Sequence, residues 1–385
     1  MLRSVGAAIF GILGDRYGRK YPYIANLVLL IVFELATGFV QTFNEFLAVR
    51  ALFGIAMGGM YGNASATALE DAPIEARGLL SGMLQEGYAL GNLLAAVFNL
   101  AITPNQPHGW RALFWFGAGP PVLLILWRLY LPETDAFKYI QEDRKAAGHE
   151  DVAKGFMKQA MPTLRTHGFR LIYLVLMMAG FNFMSHGSQD LYPTFLQRTL
   201  GFSTGKVTVT TVVSNLGAIL GGAVIGHMST FFGRRLSIIF ASLMGAAIIP
   251  AWILVRNDGI MAAAFFEQFF VQGAWGYNSK KMFGLIVFRV IPIHLLELSP
   301  EHFRSFVVGT SYQLGNLVSS ASSTIEATIG ERFPLPPLAN GLARYDYGLV
   351  MAIFMGCVYA YGTSSVDEIV ADGSDFACDD WTGGT

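Results

Sequence analysis

Ten long apolar runs recur along this chain and limit the folds open to it more than any other feature. They cover residues 22–40, 46–68, 79–102, 110–131, 168–197, 208–229, 236–255, 260–276, 305–329 and 345–362. A helix needs about 20 predominantly apolar residues to cross a bilayer, and in lipid it satisfies its own backbone hydrogen bonds. The chain is therefore predicted to be an all-α polytopic membrane protein.

Composition agrees with this class and argues against several others. Charged residues make up only 14% of the chain, whereas a soluble domain has about a quarter. A formal net charge of −1 provides no basic surface for nucleic acid. The two cysteines, Cys357 and Cys378, offer neither a disulfide framework nor metal-ligand spacing. The sequence also shows no nucleophile–base spacing and no phosphate-binding loop, so we expect neither an enzyme nor a cofactor.

The longest polar interval, residues 132–166, divides the runs into two groups. We expect an incomplete N-terminal helical half at 1–131, a central loop at 132–166, a C-terminal helical half at 167–362 and an acidic tail at 363–385. Basic residues mark the cytoplasmic side of membrane proteins, so the basic central loop is predicted to be cytoplasmic. The loops predicted on the same side as the central loop are richer in basic residues than the loops on the other side. The first set carries Arg16, Arg19, Lys20, Arg77, Arg234, Arg235, Lys280, Lys281, Arg289 and Arg304. The second set carries Arg111, Arg198, Lys206, Arg256, Arg332 and Arg344.

One short loop sequence occurs near the start of each half. Residues 11–20 read Gly-Ile-Leu-Gly-Asp-Arg-Tyr-Gly-Arg-Lys, and residues 226–235 read Gly-His-Met-Ser-Thr-Phe-Phe-Gly-Arg-Arg. Glycines such as Gly14 and Gly18 let two helix ends approach closely, and Asp15 can pair with a neighbouring helix end. The trailing basic residues, Arg16 and Arg19 in the first copy, hold the loop on the cytoplasmic side. The repeat predicts two related halves.

A polar stretch, residues 182–194, interrupts the run at 168–197 with the sequence Asn-Phe-Met-Ser-His-Gly-Ser-Gln-Asp-Leu-Tyr-Pro-Thr. Ionisable residues within a bilayer normally face a cavity and serve transport, proton relay or ligand binding, which favours a functional site over a polar surface helix. Pro193 should kink the helix and free the carbonyl of Gln189. At 100° per residue, one face of about 140° holds Asn182, Ser185, His186, Gln189 and Asp190, with Thr194 at its edge and Ser188 turned away.

This stretch fits the pattern Asn-x-x-Ser/Thr-His-x-Ser/Thr-Gln-Asp-x-x-x-Thr at every fixed position. It resembles the signature of the Jen family of fungal monocarboxylate:proton symporters, a branch of the major facilitator superfamily. The resemblance implies a major facilitator fold with two pseudo-symmetric six-helix halves around a central cavity. It also implies that Asn182, Ser185, Gln189 and Thr194 bind substrate, and that His186 and Asp190 couple protons.

Further segments resemble the same family. The two glycine-rich loops are similar to the superfamily's cytoplasmic loop signature, and residues 131–134 are similar to its Pro-Glu signature. Gln313 and Asn316 open a polar stripe that continues through Ser320 and Ser323, where the family lines its cavity; for the serines, interhelical packing is the alternative. Arg3 stands where family members have an intramembrane arginine, whose planar guanidinium suits a carboxylate.

Other features depart from the family. The expected first span is missing, the second is cut to a stub, residues 277–289 form an insertion, and the terminal span is shortened before the acidic tail. Glu86 stands where the family suggests a second glutamine. Glu34, Glu86 and Glu267 lie within spans, and each either has a functional role, which for Glu86 is an altered coupling, or belongs to a structural pair.

The sequence therefore predicts a multi-pass plasma-membrane transporter that carries a short monocarboxylate such as lactate, pyruvate or acetate together with protons by alternating access. The alternatives are a dicarboxylate or other organic-anion transporter, a carboxylate sensor and a nonfunctional product. The partners are the carboxylate substrate, protons and the lipid bilayer, without nucleic acid.

Overall fold

The structure, a computed structural model, describes residues 2–105, 107–146, 168–232, 234–274, 304–337 and 343–364. Helices dominate these ranges: α1 (Arg3–Tyr17), α2 (Lys20–Phe39), α3 (Phe43–Leu69), α4 (Ile74–Ile102), α5 (Trp110–Gly117), α6 (Gly119–Tyr130), α7 (Asp135–Ala146), α8 (Gly168–Gln189), α9 (Tyr192–Thr194), α10 (Thr204–Phe232), α11 (Arg234–Leu254), α12 (Gly259–Gly273), α13 (Arg304–Ser319), α14 (Ser322–Gly330) and α15 (Tyr347–Ser364). Two short strands, β1 (Pro334–Leu335) and β2 (Arg344–Tyr345), pair antiparallel before α15.

Helices lie over all ten apolar runs that the sequence predicted to span the membrane. Within the described ranges, four helical segments are long and apolar enough to cross a bilayer by length and composition: Lys20–Phe39, Trp110–Tyr130, Thr204–Ile225 and Leu236–Leu254. Helices in the remaining runs are shorter, as at Tyr347–Tyr361, carry more polar residues or are broken by turns. Those polar positions are the places where a site can be built.

The described residues form two compact units. Unit 1 comprises Met1–Arg77, Ala101–Ala179 and Pro292–Val318, and unit 2 comprises Gly78–Leu100, Gly180–Ile291 and Ser319–Thr385. In the described ranges, the divisions between units fall within α4, α8 and α13. The boundaries predicted from the sequence at 131, 166 and 362 stay predictions.

Small residues bring helices together within each unit. In unit 1, a Cβ atom at Gly58 of α3 would collide with the backbone oxygen of Arg3 in α1. In unit 2, Gly217 and Gly221 of α10 lie directly against the backbone oxygens of Phe265 and Phe269 in α12. Their four-residue spacing places both glycines on one face, so two helix backbones approach closely, as in other membrane helix pairs.

The polar helix α8 ends early, as Pro193 leads us to expect. The helix stops at Gln189 and restarts as α9 at Tyr192, and residues Phe195–Thr199 then form a wide turn in which the N–H of Leu200 donates to the carbonyl of Phe195 at 3.2 Å. The break lies in the core of unit 2, where the ring of Tyr192 stacks on Trp252 with centroids 4.8 Å apart. The end of the polar face is thus held by aromatic packing.

Candidate functional site

The polar face of α8 is largely buried within unit 2. Asn182, Ser185 and Ser188 are buried, Gln189 and His186 are partly buried, and Asp190 is exposed just beyond the helix end. Asn182 Nδ2 has no hydrogen-bond partner within the described ranges. A buried amide donor without a protein partner is costly unless something else accepts from it. The position therefore suits a ligand contact.

A network of hydroxyl and amide groups joins α8 to α12, and we call it the glutamine network: Ser185, Ser188, Gln189, Gln268 and Gln272. Gln189 Nε2 donates to Gln268 Oε1 at 2.7 Å, and Gln268 Nε2 donates to Ser188 Oγ at 2.8 Å. Gln272 Nε2 donates to Ser185 Oγ at 3.4 Å. The network orients the amide of Gln189, because both its partner and that partner's partner are buried.

Sequence reasoning missed Gln268 and Gln272 and placed Ser188 outside the polar face. The signal was present, because Gln268 and Gln272 stand four residues apart in an apolar run and so share a helix face. Ser188 lies next to Ser185 at the edge of that face, and side chains of α12 bond to Ser185, Ser188 and Gln189. The hydrogen bonds from α12 therefore extend the polar face of α8 to Ser188.

His186 and Asp190 meet across the last turn of α8. His186 Nδ1 lies 2.9 Å from Asp190 Oδ2, with 19% of the His186 side chain and 38% of the Asp190 side chain exposed. The spacing of four residues places them on one face, as the sequence indicates. An imidazole and a carboxylate at this distance can share or exchange one proton, and the partial exposure leaves the pair accessible to water.

Unit 1 holds the other predicted substrate residues. Gln313 is buried in α13, its backbone oxygen accepts from Ser4 Oγ at 3.1 Å, and its side-chain Oε1 has no partner within the described ranges. Asn316 lies one turn later and is partly buried. Arg3 lies in the first turn of α1 with its side chain exposed. The helix carrying the predicted polar stripe breaks at residues 320–321, so Ser323 lies on α14.

The first glycine-rich loop contains a buried ion triad. Arg19 donates to Asp15 at 2.6 Å and makes a two-pronged contact with Glu70, at 3.0 and 2.7 Å. The three side chains are almost completely buried. Burial lowers the pKa of Arg19, but the two carboxylates outweigh burial and raise it above its ordinary value. Glu70 was not predicted, although it directly follows an apolar run on the same side as the loop.

Asp15 also caps a neighbouring helix. Its two carboxylate oxygens accept the backbone N–H groups of Ser305 and Phe306, at 3.2 and 3.0 Å, at the start of α13. The first N–H groups of a helix lack internal partners and carry partial positive charge, so a carboxylate there is favourable. Asp15 thus couples the loop to the helix that carries Gln313 within unit 1.

The Pro-Glu segment supports the same loop from the other side. Glu133 Oε2 accepts the backbone N–H of Lys20, the first residue of α2, at 3.0 Å. Gly18 adopts a φ of +102°, and a Cβ atom there would collide with the Glu133 carboxylate. The positive φ favours glycine at this position, and the absence of a side chain leaves room for the Glu133 carboxylate. A Cβ atom at Gly14 would likewise collide with the side chain of Asn63.

Several predicted features lie wholly or partly outside the described residues. These are the insertion at 277–289, most of the central loop beyond residue 146, the acidic tail from residue 365, and Gly233 in the second loop copy. Of the acidic residues weighed for pairing, Glu34 forms an ion pair with Arg50 at 3.0 Å. The guanidinium of Arg50 also lies over the ring of Phe53, 4.1 Å from its centroid.

Comparisons with known proteins show which family this chain is similar to. The sugar (and other) transporter family matches residues 2–363. A "Carboxylic acid transporter protein homolog" of Saccharomyces cerevisiae is 42% identical over 374 residues, covering 94% of this chain and 59% of that protein. The chain thus spans 59% of the length of that relative. The "Cis,cis-muconate transport protein" of Acinetobacter baylyi is 25% identical over 368 residues, covering 91% of this chain and 82% of that protein.

Solved structures share the fold. The major facilitator superfamily proton:xylose symporter XylE, bound to 6-bromo-6-deoxy-D-glucose, superposes with a TM-score of 0.67 at 18% identity, covering 96% of this chain and 84% of that one. A partially occluded inward-open form of the xylose transporter XylE from E. coli gives 0.65 at 16% identity, with the same coverage. The chain is therefore a multi-pass membrane protein with the predicted major facilitator fold, and it belongs to the sugar (and other) transporter family.

Proposed function

We propose that the chain carries a short monocarboxylate, with lactate and pyruvate as the first candidates, together with protons across the plasma membrane by alternating access. The observation that carries this proposal is the His186–Asp190 contact of 2.9 Å beside the glutamine network. The pair provides a titratable site, and the network provides oriented neutral donors. Together they supply a group that can carry the coupled proton and groups that can hold a polar substrate.

The remaining predicted residues have roles in this proposal. Asn182, Ser185, Gln189, Thr194, Gln313 and Asn316 supply neutral hydrogen-bonding groups. Arg3 supplies the positive charge that a carboxylate needs on leaving water, because an unpaired buried anion is costly. Gly14, Asp15, Arg16, Gly18 and Arg19 belong to the conformational loop. The resemblance of residues 182–194 to the Jen signature supports these assignments.

Related proteins support organic-acid transport more broadly. The Saccharomyces cerevisiae relative is named a carboxylic acid transporter homolog, and the Acinetobacter baylyi relative is named for cis,cis-muconate, a dicarboxylate. The second name favours a dicarboxylate or another organic anion as the second candidate. Xylose transport by the structural neighbours carries no weight for the substrate, because a shared superfold does not define a ligand.

Competition for uptake tests the substrate. In proteoliposomes with an inward proton gradient, we expect unlabelled lactate and pyruvate to inhibit uptake of radiolabelled lactate, and glucose to have no effect. Arg3→Lys should raise the lactate concentration for half-inhibition about tenfold, because a two-pronged contact becomes a single one. Inhibition by succinate, a dicarboxylate, distinguishes the dicarboxylate candidate from the monocarboxylate candidate.

The matched control is Arg332→Lys, an exposed arginine outside the proposed site, which should leave lactate inhibition unchanged. Uptake of labelled lactate that excess unlabelled lactate does not reduce, or that glucose reduces as strongly as lactate does, would overturn the carboxylate assignment. Stronger inhibition by succinate than by lactate would replace it with the dicarboxylate candidate.

Cysteine labelling tests the orientation of the chain. In a background lacking Cys357 and Cys378, we expect Tyr139→Cys in α7 to resist an impermeant maleimide in intact cells and to react after permeabilisation. Asn44→Cys, at the start of α3, should react in intact cells, because the two positions fall on opposite sides in the positive-inside assignment. Both side chains are exposed, so burial does not account for a difference. The reverse pattern would invert the topology.

A further inference from the structure

Glu267 is a carboxyl group in the interior of unit 2 that the proposed mechanism does not use. It lies in the middle of α12 and is completely buried. Its Oε1 accepts the hydroxyl of Tyr359 in α15 at 2.7 Å, while its Oε2 has no hydrogen-bond partner within the described ranges. Tyr359 is itself buried, and its hydroxyl lies against Gly245 of α11.

The surroundings of Glu267 provide no compensating charge. Within the ranges that the structure describes, Glu267 forms no ion pair, and the phenols of Tyr359 and Tyr192 are the ionisable groups that act on it. α11 has no ionisable residue between Leu236 and Leu254. The ionisable residues of α10, Lys206 and His227, stand towards its two ends, and Lys206 is held by Asp258 at 2.8 Å.

A carboxylate with this environment is unfavourable in its charged form. Desolvation of an isolated anion costs far more than one hydrogen bond from a phenol returns, so such a group keeps its proton. Because Oε1 accepts the Tyr359 hydroxyl, Oε1 is the carbonyl oxygen, and the proton belongs on Oε2. The Tyr192 hydroxyl, also buried and without a partner in the described ranges, faces the same interior.

Glu267 is directly connected to the candidate site through α12. The next residue is Gln268, which donates to Ser188 and accepts from Gln189. A change in charge at Glu267 therefore acts one residue away from the glutamine network. Gln189 in turn bonds to Gln268, so the network residue nearest to Glu267 in the chain holds the amide of Gln189.

We propose that Glu267 is a second proton-binding site of the transporter, in addition to His186 and Asp190, and that its Oε2 carries a proton during the step that moves substrate. The step is an acid–base exchange, in which the carboxylic acid releases one proton to water on one side and the carboxylate binds one proton from the other. The inference rests on the proposed function, because it concerns the coupling ion of that transport.

The experiment compares two modes of transport for Glu267→Gln in proteoliposomes. Glutamine keeps an acceptor for Tyr359 but does not bind or release a proton. We expect accumulation driven by a pH gradient to fall at least tenfold. Counterflow, the exchange of labelled for unlabelled lactate at equal pH, should stay within twofold of the unmodified chain, because exchange needs no net release of the proton.

Tyr359→Phe supplies an independent measurement. The Tyr359 hydroxyl donates to the carboxyl and favours its ionised form, so its loss makes Glu267 bind its proton more tightly. We expect the pH at half-maximal counterflow to shift to higher pH in Tyr359→Phe. Glu331→Gln, which neutralises an exposed carboxyl at the end of α14, should change neither property.

Failure of the proposed function and failure of the Glu267 inference give different results in these experiments. If the unmodified chain shows no accumulation driven by a pH gradient, the proposed function fails. If it accumulates lactate and Glu267→Gln does so equally, or loses counterflow together with accumulation, Glu267 is not a proton site. If Glu267→Gln does not fold, the pH profile of Tyr359→Phe decides, and an unshifted profile overturns the inference.

Discussion

Asp190→Asn is expected to abolish accumulation of lactate against its gradient. The asparagine keeps the size of the side chain and a hydrogen-bonding group 2.9 Å from His186 Nδ1, but it has no titratable carboxylate. Proton binding at this pair then no longer depends on which side the pair faces, so the pH gradient performs no work on the substrate. The internal lactate concentration should rise only to the external concentration, as measured with radiolabelled lactate in proteoliposomes.

The control for Asp190→Asn is Asp135→Asn, which neutralises an exposed carboxyl of α7. This variant should accumulate lactate as the unmodified chain does. Counterflow by Asp190→Asn reports whether the substrate site is intact, since exchange at equal pH requires binding but no coupling. Full accumulation by Asp190→Asn would remove Asp190 from the coupling role.

Arg19→Met is expected to cause the largest loss of stability among the loop variants. Removal of the guanidinium leaves Asp15 and Glu70 buried without a cation, and breaking a buried pair in this way costs about 3–5 kcal/mol. Methionine keeps much of the volume of the side chain, so the loss reflects charge more than packing. The apparent melting temperature in one detergent, measured at one scan rate, should fall clearly below that of the unmodified chain.

Lys138→Met is the matched control for Arg19→Met. Lys138 pairs with Asp135 at 2.7 Å, but half of the Lys138 side chain and most of the Asp135 side chain are exposed. Surface pairs of this kind contribute about 0–1 kcal/mol, so the melting temperature should hardly change. Equal melting temperatures for the two variants would mean that the Arg19 triad does not stabilise unit 1.

The coarse architecture follows from the order of residues alone. Each of the ten apolar runs is helical, because a segment that enters lipid must satisfy its own backbone groups. The break at residues 190–191 follows in the same way from Pro193, which lacks an N–H and restricts its own backbone. Fold class and approximate helix positions were therefore predictable, and the major facilitator fold is confirmed by the solved structures.

The His186–Asp190 contact was also predictable, because it lies within one helical turn. Other contacts of the candidate site join residues far apart in the chain. The partner of Arg19 at Glu70 is 51 residues away, and the partner of Gln189 at Gln268 is 79 residues away. Helical periodicity states which side chains share a face, but it does not state which other helix packs against that face.

Glu267 shows the difference between the two kinds of information. The sequence by itself determined that an acidic residue lies within an apolar run, and it left a functional role and a structural pair equally open. Only the tertiary structure decided that its neighbour is a phenol from α15 rather than a cation, and that one carboxyl oxygen has no partner in the described ranges. The physical reason is that the free energy of a buried charge depends on the groups packed around it, and packing brings those groups from distant parts of the chain.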